Sequence, residues 1–336
     1  MKRINIKTVA QKAGVSTATV SRVMHKYPGV KEETRKRVLR VASQLNYEIN
    51  AVASSLRSKK TNILGIIVGN VLSQFYSTLA KAVEDVAINE GYSLILCNGD
   101  DNPQKELKYL KILKSNRVDG IILTPTGKNA EYIRMLKKSG IQVVLVDRLI
   151  PGLENDAVLV DNEQGSYRAV KYLISRGYER IAIINGYPDR TTGAERLEGY
   201  IRALTEAKKI INNSLIKTGD FKKRSGINLT TELLEDSPGP DAIFITNLDM
   251  TLGSVLAIKQ KGLKIPEDIG ILGFDNPDWT QIADPPITTV NQPVYSMGNT
   301  AAELIIKKIG QKSSSEDSLP LIIRLGTNLI IRKSTI

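Results

Sequence analysis

The stretch TVAQKAGVSTATVSRVMHKYPGVKEETRKRVLRVASQLNYEINAVASSL, residues 8–56, decides the fold of the N-terminal part of the chain. Asn5, just before it, and Ser16, within it, are residue types that cap the first turn of a helix, and Gly14 between them suits a tight turn. The second predicted helix runs from Thr17 to Met24, and a third follows a Tyr-Pro-Gly break over 32–45. Three short helices with a tight turn between the first two predict a helix-turn-helix unit.

The apolar residues of this stretch recur at helical spacing and predict the core of the unit. The side chains expected to face inward are Val9, Ala10, Ala13, Val20, Val23, Met24, Val38, Leu39, Ala42 and Leu45. On the second helix the opposite face carries Thr17, Ala18, Ser21 and Arg22. These four side chains are therefore available to a partner.

The positive charge of the chain is concentrated at the N-terminus. Residues 1–60 contain 14 lysines and arginines against three glutamates, and therefore carry +11 of the formal net charge of +12. A folded basic face of this kind is typical of a protein that binds nucleic acid, because neutralising phosphates releases counterions. Double-stranded DNA is the expected partner.

Cysteine and histidine usage excludes several classes of site. Cys97 is the only cysteine and His25 the only histidine, so an intramolecular disulfide, a histidine-cluster metal site and a Ser-His-Asp arrangement are all excluded. Common nucleotide-binding and nucleophile-elbow motifs are also absent. A signal peptide and an 18-residue apolar run are missing, which indicates a cytoplasmic protein without a membrane segment. We expect no enzyme activity, no cofactor and no metal.

From Ile63 onward the pattern changes to short apolar strands that alternate with helical segments, which predicts parallel sheets covered by helices. The predicted strands are 63–68, 93–97, 120–124, 142–147, 157–161, 181–185, 242–246 and 269–274. Their number suggests two sheets. Polar residues follow several strands, among them Asp147, Asn185, Asn247 and Asp275, and ligands bind at this carboxyl edge of open α/β sheets.

The helix-turn-helix stretch resembles the DNA-binding head of the LacI/GalR family of bacterial repressors. The resemblance continues in family order through GYSLILCNGD, VDGIILTP, VVLVDR, RIAIING, GAERLEGY, GILGFDN and PPITTVNQP, and so covers nearly the whole chain. It implies a small all-α headpiece plus an α/β periplasmic-binding-protein-like body of two Rossmann-like lobes with parallel sheets. It also implies a homodimer that binds a pseudo-palindromic operator.

The resemblance implies three segments. Residues 1–49 form the helix-turn-helix domain, 50–61 a hinge helix and linker, and 62–336 the effector-binding and dimerisation domain. Within the last, the N-lobe takes about 62–160 and 293–320, and the C-lobe about 162–291 and 322–336. A small-molecule effector bound between the lobes would shift the population of lobe arrangements and so change operator affinity.

Members of the family place the second helix in the major groove, which gives roles to the exposed face described above. The implied DNA-binding residues are Ser16, Thr17, Ala18, Ser21, Arg22, Asn50, Ala53 and Leu56. Arg22 can offer a bidentate fork to guanine. Leu56 stands where the family inserts a leucine into the minor groove, and such a wedge kinks a base step.

The resemblance also implies a pocket, with Trp279 as a further possible wall. The implied effector-binding residues are Phe75, Tyr76, Asp147, Arg148, Arg190, Thr192, Arg196, Phe221, Asn247, Asp275 and Gln292. Polar groups beside aromatic faces suit a sugar, and three arginines slightly favour a sugar acid. Two alternatives stay open here, an ion pair for Arg148 and a core position for Trp279.

Two other functions compete with a sugar-controlled regulator. One is a regulator controlled by a phosphorylated carrier protein, although Tyr295-Ser296 and Glu303 depart from the pattern of the catabolite-control branch. The other is a metabolite-binding protein or enzyme that carries a basic head. The latter predicts no salt-sensitive operator binding and little effect of Arg22→Ala.

Overall fold

The computed structural model describes residues 5–25, 27–47, 60–311 and 319–335. The chain divides into two compact units, residues 1–61 and residues 62–336. We call the first unit the head and the second the body. Most of the predicted hinge segment, 50–59, lies outside the described residues.

The head consists of three helices, α1 (Ile6–Ala13), α2 (Thr17–Met24) and α3 (Glu32–Gln44). The first two begin at the predicted caps: the Asn5 side chain accepts a hydrogen bond from the backbone N–H of Thr8 at 3.1 Å, and Ser16 accepts one from Thr19 at 3.1 Å. Gly14 ends α1 in the left-handed conformation, at φ 63°. The helix-turn-helix prediction is therefore confirmed.

The core of the head is mostly as predicted, with Leu39 as the exception. Its fully buried members are Val9, Ala10, Ala13, Val20, Val23, Val38 and Ala42. Leu39 is 46% exposed, while Val41 packs against the core instead. Successive helical residues differ by about 100°, so Leu39 points away from the stripe that Val38, Val41 and Ala42 share.

The body contains two six-stranded sheets with helices packed on both faces of each. Its helices are α4 (Gln74–Asn89), α5 (Pro103–Ser115), α6 (Ala130–Lys138), α7 (Asn162–Ser175), α8 (Thr191–Glu206), α9 (Lys223–Glu235), α10 (Leu248–Gln260), α11 (Trp279–Ile282) and α12 (Val294–Gly310), with a 3₁₀ turn at Asn213–Leu215. Its strands are β1 (Ile63–Val68), β2 (Ser93–Asn98), β3 (Gly120–Leu123), β4 (Gln142–Val146), β5 (Ala157–Val160), β6 (Ile181–Asn185), β7 (Ile216–Thr218), β8 (Ala242–Ile245), β9 (Gly270–Phe274), β10 (Thr288–Asn291), β11 (Ile322–Leu325) and β12 (Asn328–Ile330).

The first sheet has the strand order β11-β5-β4-β3-β1-β2, and all of its pairs are parallel. The second has the order β12-β10-β9-β8-β6-β7, parallel except for the antiparallel pair of β10 with β12. Strands buried on both faces, such as Gly120–Leu123, explain the unbroken apolar runs in the sequence. We call the units built on these sheets the first and second lobes.

One lobe boundary predicted from the sequence is wrong. The C-lobe was expected to include 322–336, but Ile322–Leu325 pairs with β5 in the sheet of the first lobe. The chain therefore crosses between the lobes after β5, after β10 and between β11 and β12. These last two strands are short and partly exposed, so their apolar pattern is too weak to assign them to one sheet or the other.

None of the helices in the described part of the chain combines the length and the apolar character required to cross a bilayer.

Candidate functional site

A cavity of about 520 Å³ lies between the two lobes, where the carboxyl ends of several strands of both sheets meet. All eleven residues proposed for effector binding line it, and so do ten further residues. The further residues are Gly69, Asn70, Ser73, Asp100, Asp101, Tyr187, Asp220, Lys222, Lys223 and Asp249. Trp279 is not among the lining residues and packs against the core of the second lobe. The core alternative therefore holds for Trp279.

On the first lobe, a buried cluster surrounds Arg148. Its Nε donates to Asp147 at 3.0 Å, one terminal nitrogen donates to Asp101 at 3.1 Å, and the other donates to the hydroxyl of Tyr76. Arg148 and Asp147 are both buried, at 4% and 6% exposure. Arg148 therefore forms the ion pair that the sequence left as an alternative, while its edge still lines the cavity.

Arg190 reaches across from the second lobe to the same acid. It stands at the N-cap of α8 and donates to the Asp101 carboxylate at 2.9 Å. Its guanidinium group also lies 5.0 Å from the ring centre of Tyr187 and 5.8 Å from that of Phe221. The sequence analysis did not predict Asp101. Asp101 lies in the loop after β2, as Asp147 lies after β4, so the expectation that ligands bind at the carboxyl ends of the strands applies to it as well.

Arg196 is fixed deep in the second lobe. Its Nε donates to the side chain of Asn162 at 2.8 Å, one terminal nitrogen donates to the carbonyl of Thr246 at 2.6 Å, and its guanidinium carbon lies 3.9 Å from the ring centre of Phe274. Burial lowers the pKa of Arg196 despite the nearby carboxylate of Asp275. The side chain is therefore rigidly oriented towards the cavity.

Asp275 and Gln292 form the polar wall at the ends of β9 and β10. Asp275 accepts hydrogen bonds from the Gln292 amide and from the backbone N–H of Leu248 at 3.1 Å. Burial raises the pKa of Asp275, although Arg196 and these two donors oppose the shift. Among the described residues, the buried Oε1 of Gln292 has no hydrogen-bond partner. A ligand hydroxyl could satisfy it.

Asn247 lines the cavity and also caps a helix. Its side chain caps α10 by accepting from the backbone N–H of Met250 at 3.0 Å. Thr192, in the first turn of α8, is 2% exposed. Asn247 and Thr192 therefore place short polar side chains at the cavity, at the starts of α10 and α8.

Two aromatic faces complete the cavity. Phe75 packs edge-on against Tyr76, with ring centres 5.1 Å apart. Phe221, at φ 63°, covers Gly186 so closely that a Cβ there would lie 1.9 Å from the ring. Its ring meets Tyr187 edge-on at 5.8 Å. The cavity therefore combines acids, arginines, amides and rings, which suits a polar molecule with an apolar face.

On the head, the predicted DNA-contacting face of α2 is open. Ser16, Thr17, Ala18 and Arg22 are exposed and Ser21 is partly exposed. The caps that start α2 leave its N-terminal turn accessible. Asn50, Ala53 and Leu56 lie outside the described residues.

Within the described ranges, no group of three or more histidine, cysteine or acidic side chains is placed to hold a metal ion.

The fold and the cavity define a class of proteins with a helix-turn-helix head and a two-lobed ligand-binding body. The family profile described as "Bacterial regulatory proteins, lacI family" matches residues 5–50, and "Periplasmic binding proteins and sugar binding domain of LacI family" matches residues 61–329. The chain belongs to the LacI family of DNA-binding transcription regulators.

Individual relatives agree with this assignment. Catabolite control protein A of Priestia megaterium is 37% identical over 333 residues, which cover 99% of each chain. The HTH-type transcriptional repressor PurR of Photobacterium profundum is 34% identical over 330 residues, 98% of each chain. A solved structure described as a complex of the transcriptional regulator CelR with cellobiose is 30% identical, with a TM-score of 0.75 over 99% of this chain and 100% of that chain. These relatives are transcription regulators rather than enzymes.

Proposed function

We propose that this chain is a cytoplasmic transcriptional repressor that binds a pseudo-palindromic operator as a homodimer, and whose operator affinity is set by a small neutral sugar. The observation that carries the proposal is the cavity between the lobes, because polar and aromatic side chains of both lobes converge on it. We assign no catalytic residue and no cofactor. The roles given below to individual residues are part of the proposal.

The operator contacts come from α2. Thr17, Ala18 and Arg22 reach base edges, while Ser16 and Ser21 bind the phosphate backbone. Arg22 is exposed and can present a bidentate fork to guanine, which discriminates by about 1–3 kcal/mol. Asn50, Ala53 and Leu56 complete the contacts from the hinge segment, with Leu56 as a minor-groove wedge.

The ligand lies between the aromatic faces of Phe75 and Phe221. Asp147, Asn247 and Asp275 bond its hydroxyl groups, with Thr192 and Gln292 as further partners. This pattern is expected for a sugar, because the apolar face of the sugar ring packs against an aromatic ring and its hydroxyl groups bond to carboxylates. A relative solved with cellobiose supports the ligand class.

The contacts of the arginines favour a neutral sugar over a sugar acid. The sequence reading slightly favoured the acid because three arginines were expected to face the ligand. In the structure Arg148, Arg190 and Arg196 already donate to protein acceptors. An anionic ligand that paired with the same nitrogens would have to replace those acceptors, whereas a hydroxyl group needs only one free donor or acceptor.

Ligand binding is coupled to DNA binding through the two lobes. Because the ligand contacts both lobes, it binds some lobe arrangements more tightly than others and shifts their populations. Differential affinity of about 1–3 kcal/mol is typical of such coupling.

Apolar surface on the body supports the homodimer. Leu96 lies on β2, the edge strand of the first sheet, and is 50% exposed, while Leu72 and Ile282 are 90% and 85% exposed. We propose that some of these side chains contribute to the contact with a second protomer. Light scattering coupled to size-exclusion chromatography should give the mass of two chains.

Control by a phosphorylated carrier protein is less well supported. The Tyr295 hydroxyl donates to Asp85 at 2.7 Å, and Glu303 lies exposed on the same helix, α12. Acidic groups at this surface repel an anionic partner.

Two measurements on the full chain test the proposal. Footprinting across the source genome at low ionic strength should reveal a protected near-palindrome, with log K falling by about 0.9 per phosphate contact against log salt. Thermal unfolding with matched pairs of neutral sugars and their acids should show a saturable rise in Tm for a neutral sugar. No protected palindrome, with or without sugars, would contradict the DNA-binding part, and stabilisation by acids alone would contradict the ligand class.

A further inference from the structure

One carboxylate oxygen joins the two lobes at the cavity. Oδ1 of Asp101 accepts from Arg148 at 3.1 Å within the first lobe and from Arg190 at 2.9 Å across the cleft. The side chain of Asp101 is 30% exposed, while those of its partners are 5% and 13% exposed. Asp101 is thus the point at which two of the three cavity-lining guanidinium groups, those of Arg148 and Arg190, meet an internal anion.

Asp101 is charged when it makes these contacts. Its partial burial would raise its pKa, but the charges of Arg148 and Arg190 and their hydrogen bonds outweigh burial and hold the pKa below the ordinary value. The carboxylate therefore remains ionised at neutral pH, and its negative charge faces the place where a ligand would approach Arg190.

The other two nitrogens of Arg148 also have protein acceptors. Asp147 accepts from its Nε and the Tyr76 hydroxyl from its second terminal nitrogen. A carboxylate or phosphate that took the place of Asp101 on these nitrogens would have to break two charge-assisted hydrogen bonds, and an anion beside them would meet the like charge of Asp101. A hydroxyl group meets no such repulsion.

We propose that Asp101 is a specificity-determining residue that disfavours anionic ligands, because its carboxylate pairs with two cavity guanidinium groups and adds a negative charge beside them. The inference rests on the ligand site proposed above and adds the residue that sets its charge preference. It also predicts that removing one charge converts the cavity into an anion site.

The test is Asp101→Asn in the full chain, with inorganic sulfate as the probe. Asn tolerates the left-handed backbone of this position, at φ 51°, and keeps the shape of the side chain. Titration calorimetry at constant ionic strength should show a saturable sulfate site in the variant, with a Kd at least about tenfold lower than in the unmodified chain. Saturation separates site binding from the general stabilisation that sulfate gives proteins.

Asp278→Asn is the control. Asp278 is an exposed aspartate that does not line the cavity, and its substitution removes the same charge. It should leave sulfate binding as weak as in the unmodified chain. The double variant Asp101→Asn with Arg190→Gln should not show the increased sulfate affinity.

Two results would overturn the proposal. One is a saturable sulfate site of equal affinity in the unmodified chain, and the other is no gain in Asp101→Asn. If that variant does not fold, Asp101→Gly removes the carboxylate at a backbone conformation that glycine adopts without strain, and the same criteria apply. Sulfate titration needs neither operator nor sugar, so its outcome is independent of the footprinting and sugar screen that test the proposed function.

Discussion

At the scale of single residues, Asp275 shows how a ligand site opposes stability. Burial raises its pKa, so the folded chain binds a proton more readily at this carboxyl than the unfolded chain does. Stability is therefore lost as pH rises from the ordinary aspartate pKa of about 3.9 through the folded value. The ionised carboxylate of Asp275 destabilises the fold but can accept a hydrogen bond from a ligand hydroxyl.

Asp275→Asn should raise Tm at pH 7, because it removes a charge that burial disfavours and still accepts from Leu248. We expect a gain of about 1 kcal/mol in the free energy of unfolding. The gain should shrink towards pH 4, because the folded carboxyl of the unmodified chain takes up a proton as the pH falls through its raised pKa. Scanning calorimetry at the two pH values measures it.

The control for this change is Asp278→Asn, at an exposed aspartate on the same loop. It should leave Tm unchanged at both pH values. A lower Tm for Asp275→Asn at pH 7 would show that its hydrogen bonds with Gln292 and Leu248 outweigh the burial of charge.

Arg22→Ala should weaken operator binding about 10- to 100-fold and relax the base preference at one position of each half-site. The reason is the loss of a bidentate contact to a base edge, worth about 1–3 kcal/mol. Fluorescence anisotropy with the footprinted operator and its single-base variants measures both effects.

Arg40→Ala is the comparison, because Arg40 is exposed on α3 and outside the recognition face of α2. It should affect all operator variants equally, or not at all. Equal weakening on every sequence by Arg22→Ala would mean that Arg22 binds phosphate rather than a base.

At the scale of elements, a close helix crossing supports the cavity. Helices α7 and α8 approach at Gly199, where an added Cβ would lie 2.2 Å from the carbonyl oxygen of Glu163 and 2.8 Å from the backbone nitrogen of Tyr167. Backbone atoms cannot move aside as a flexible side chain does. The crossing therefore depends on a residue without a side chain.

Gly199→Ala should lower the free energy of unfolding by about 1–3 kcal/mol through overpacking. Because α8 also carries Arg196, the same change should weaken ligand binding. Thermal unfolding with and without the sugar found in the screen measures both. Glu198→Ala, one residue earlier and exposed, should do neither. An unchanged Tm for Gly199→Ala would mean that the two helices separate at little cost.

The sequence predicted most of these elements where local signals were strong. Capping side chains located the starts of α1 and α2, and apolar runs located eight of the described strands. The sequence analysis did not predict β7, β10, β11 and β12, which have three or four residues and include polar side chains. Such strands take their place in a sheet from their neighbours rather than from their own pattern.

The cavity was predicted in a similar way. Polar residues after strands, together with the family resemblance, gave the eleven lining positions. The ion pair of Arg148 was left open as an alternative. Asp101 was not predicted, because its contact with Arg190 depends on Arg190 crossing from the other lobe. Contacts between sequence-distant loops leave no periodic signal along the chain.

At the scale of the whole molecule, a chain of hydrogen bonds connects the lobe crossing to the cavity. Arg324 on β11, in the first lobe, donates to Glu195 on α8 at 2.8 Å, and Glu195 accepts from Asn162 at 2.9 Å. Asn162, just after the first crossing, accepts from Arg196 at 2.8 Å. A change in the angle between the lobes that separates Arg324 from Glu195 would therefore act on the hydrogen-bond chain that holds a cavity arginine.

Glu195→Gln should loosen the second lobe against β11 and reduce Tm by about 2–4 °C, since one partly exposed ion pair contributes no more than about 1 kcal/mol. It should also speed amide hydrogen exchange in β5 and β11, because Glu195 anchors Arg324 on β11 and β11 pairs with β5. Glu235→Gln cuts the exposed ion pair with Lys261, 2.9 Å long and inside the second lobe, and should leave exchange in both strands unchanged. Equal exchange rates in the two variants would show that the crossing strands hold the lobe angle without the side chains that bridge it.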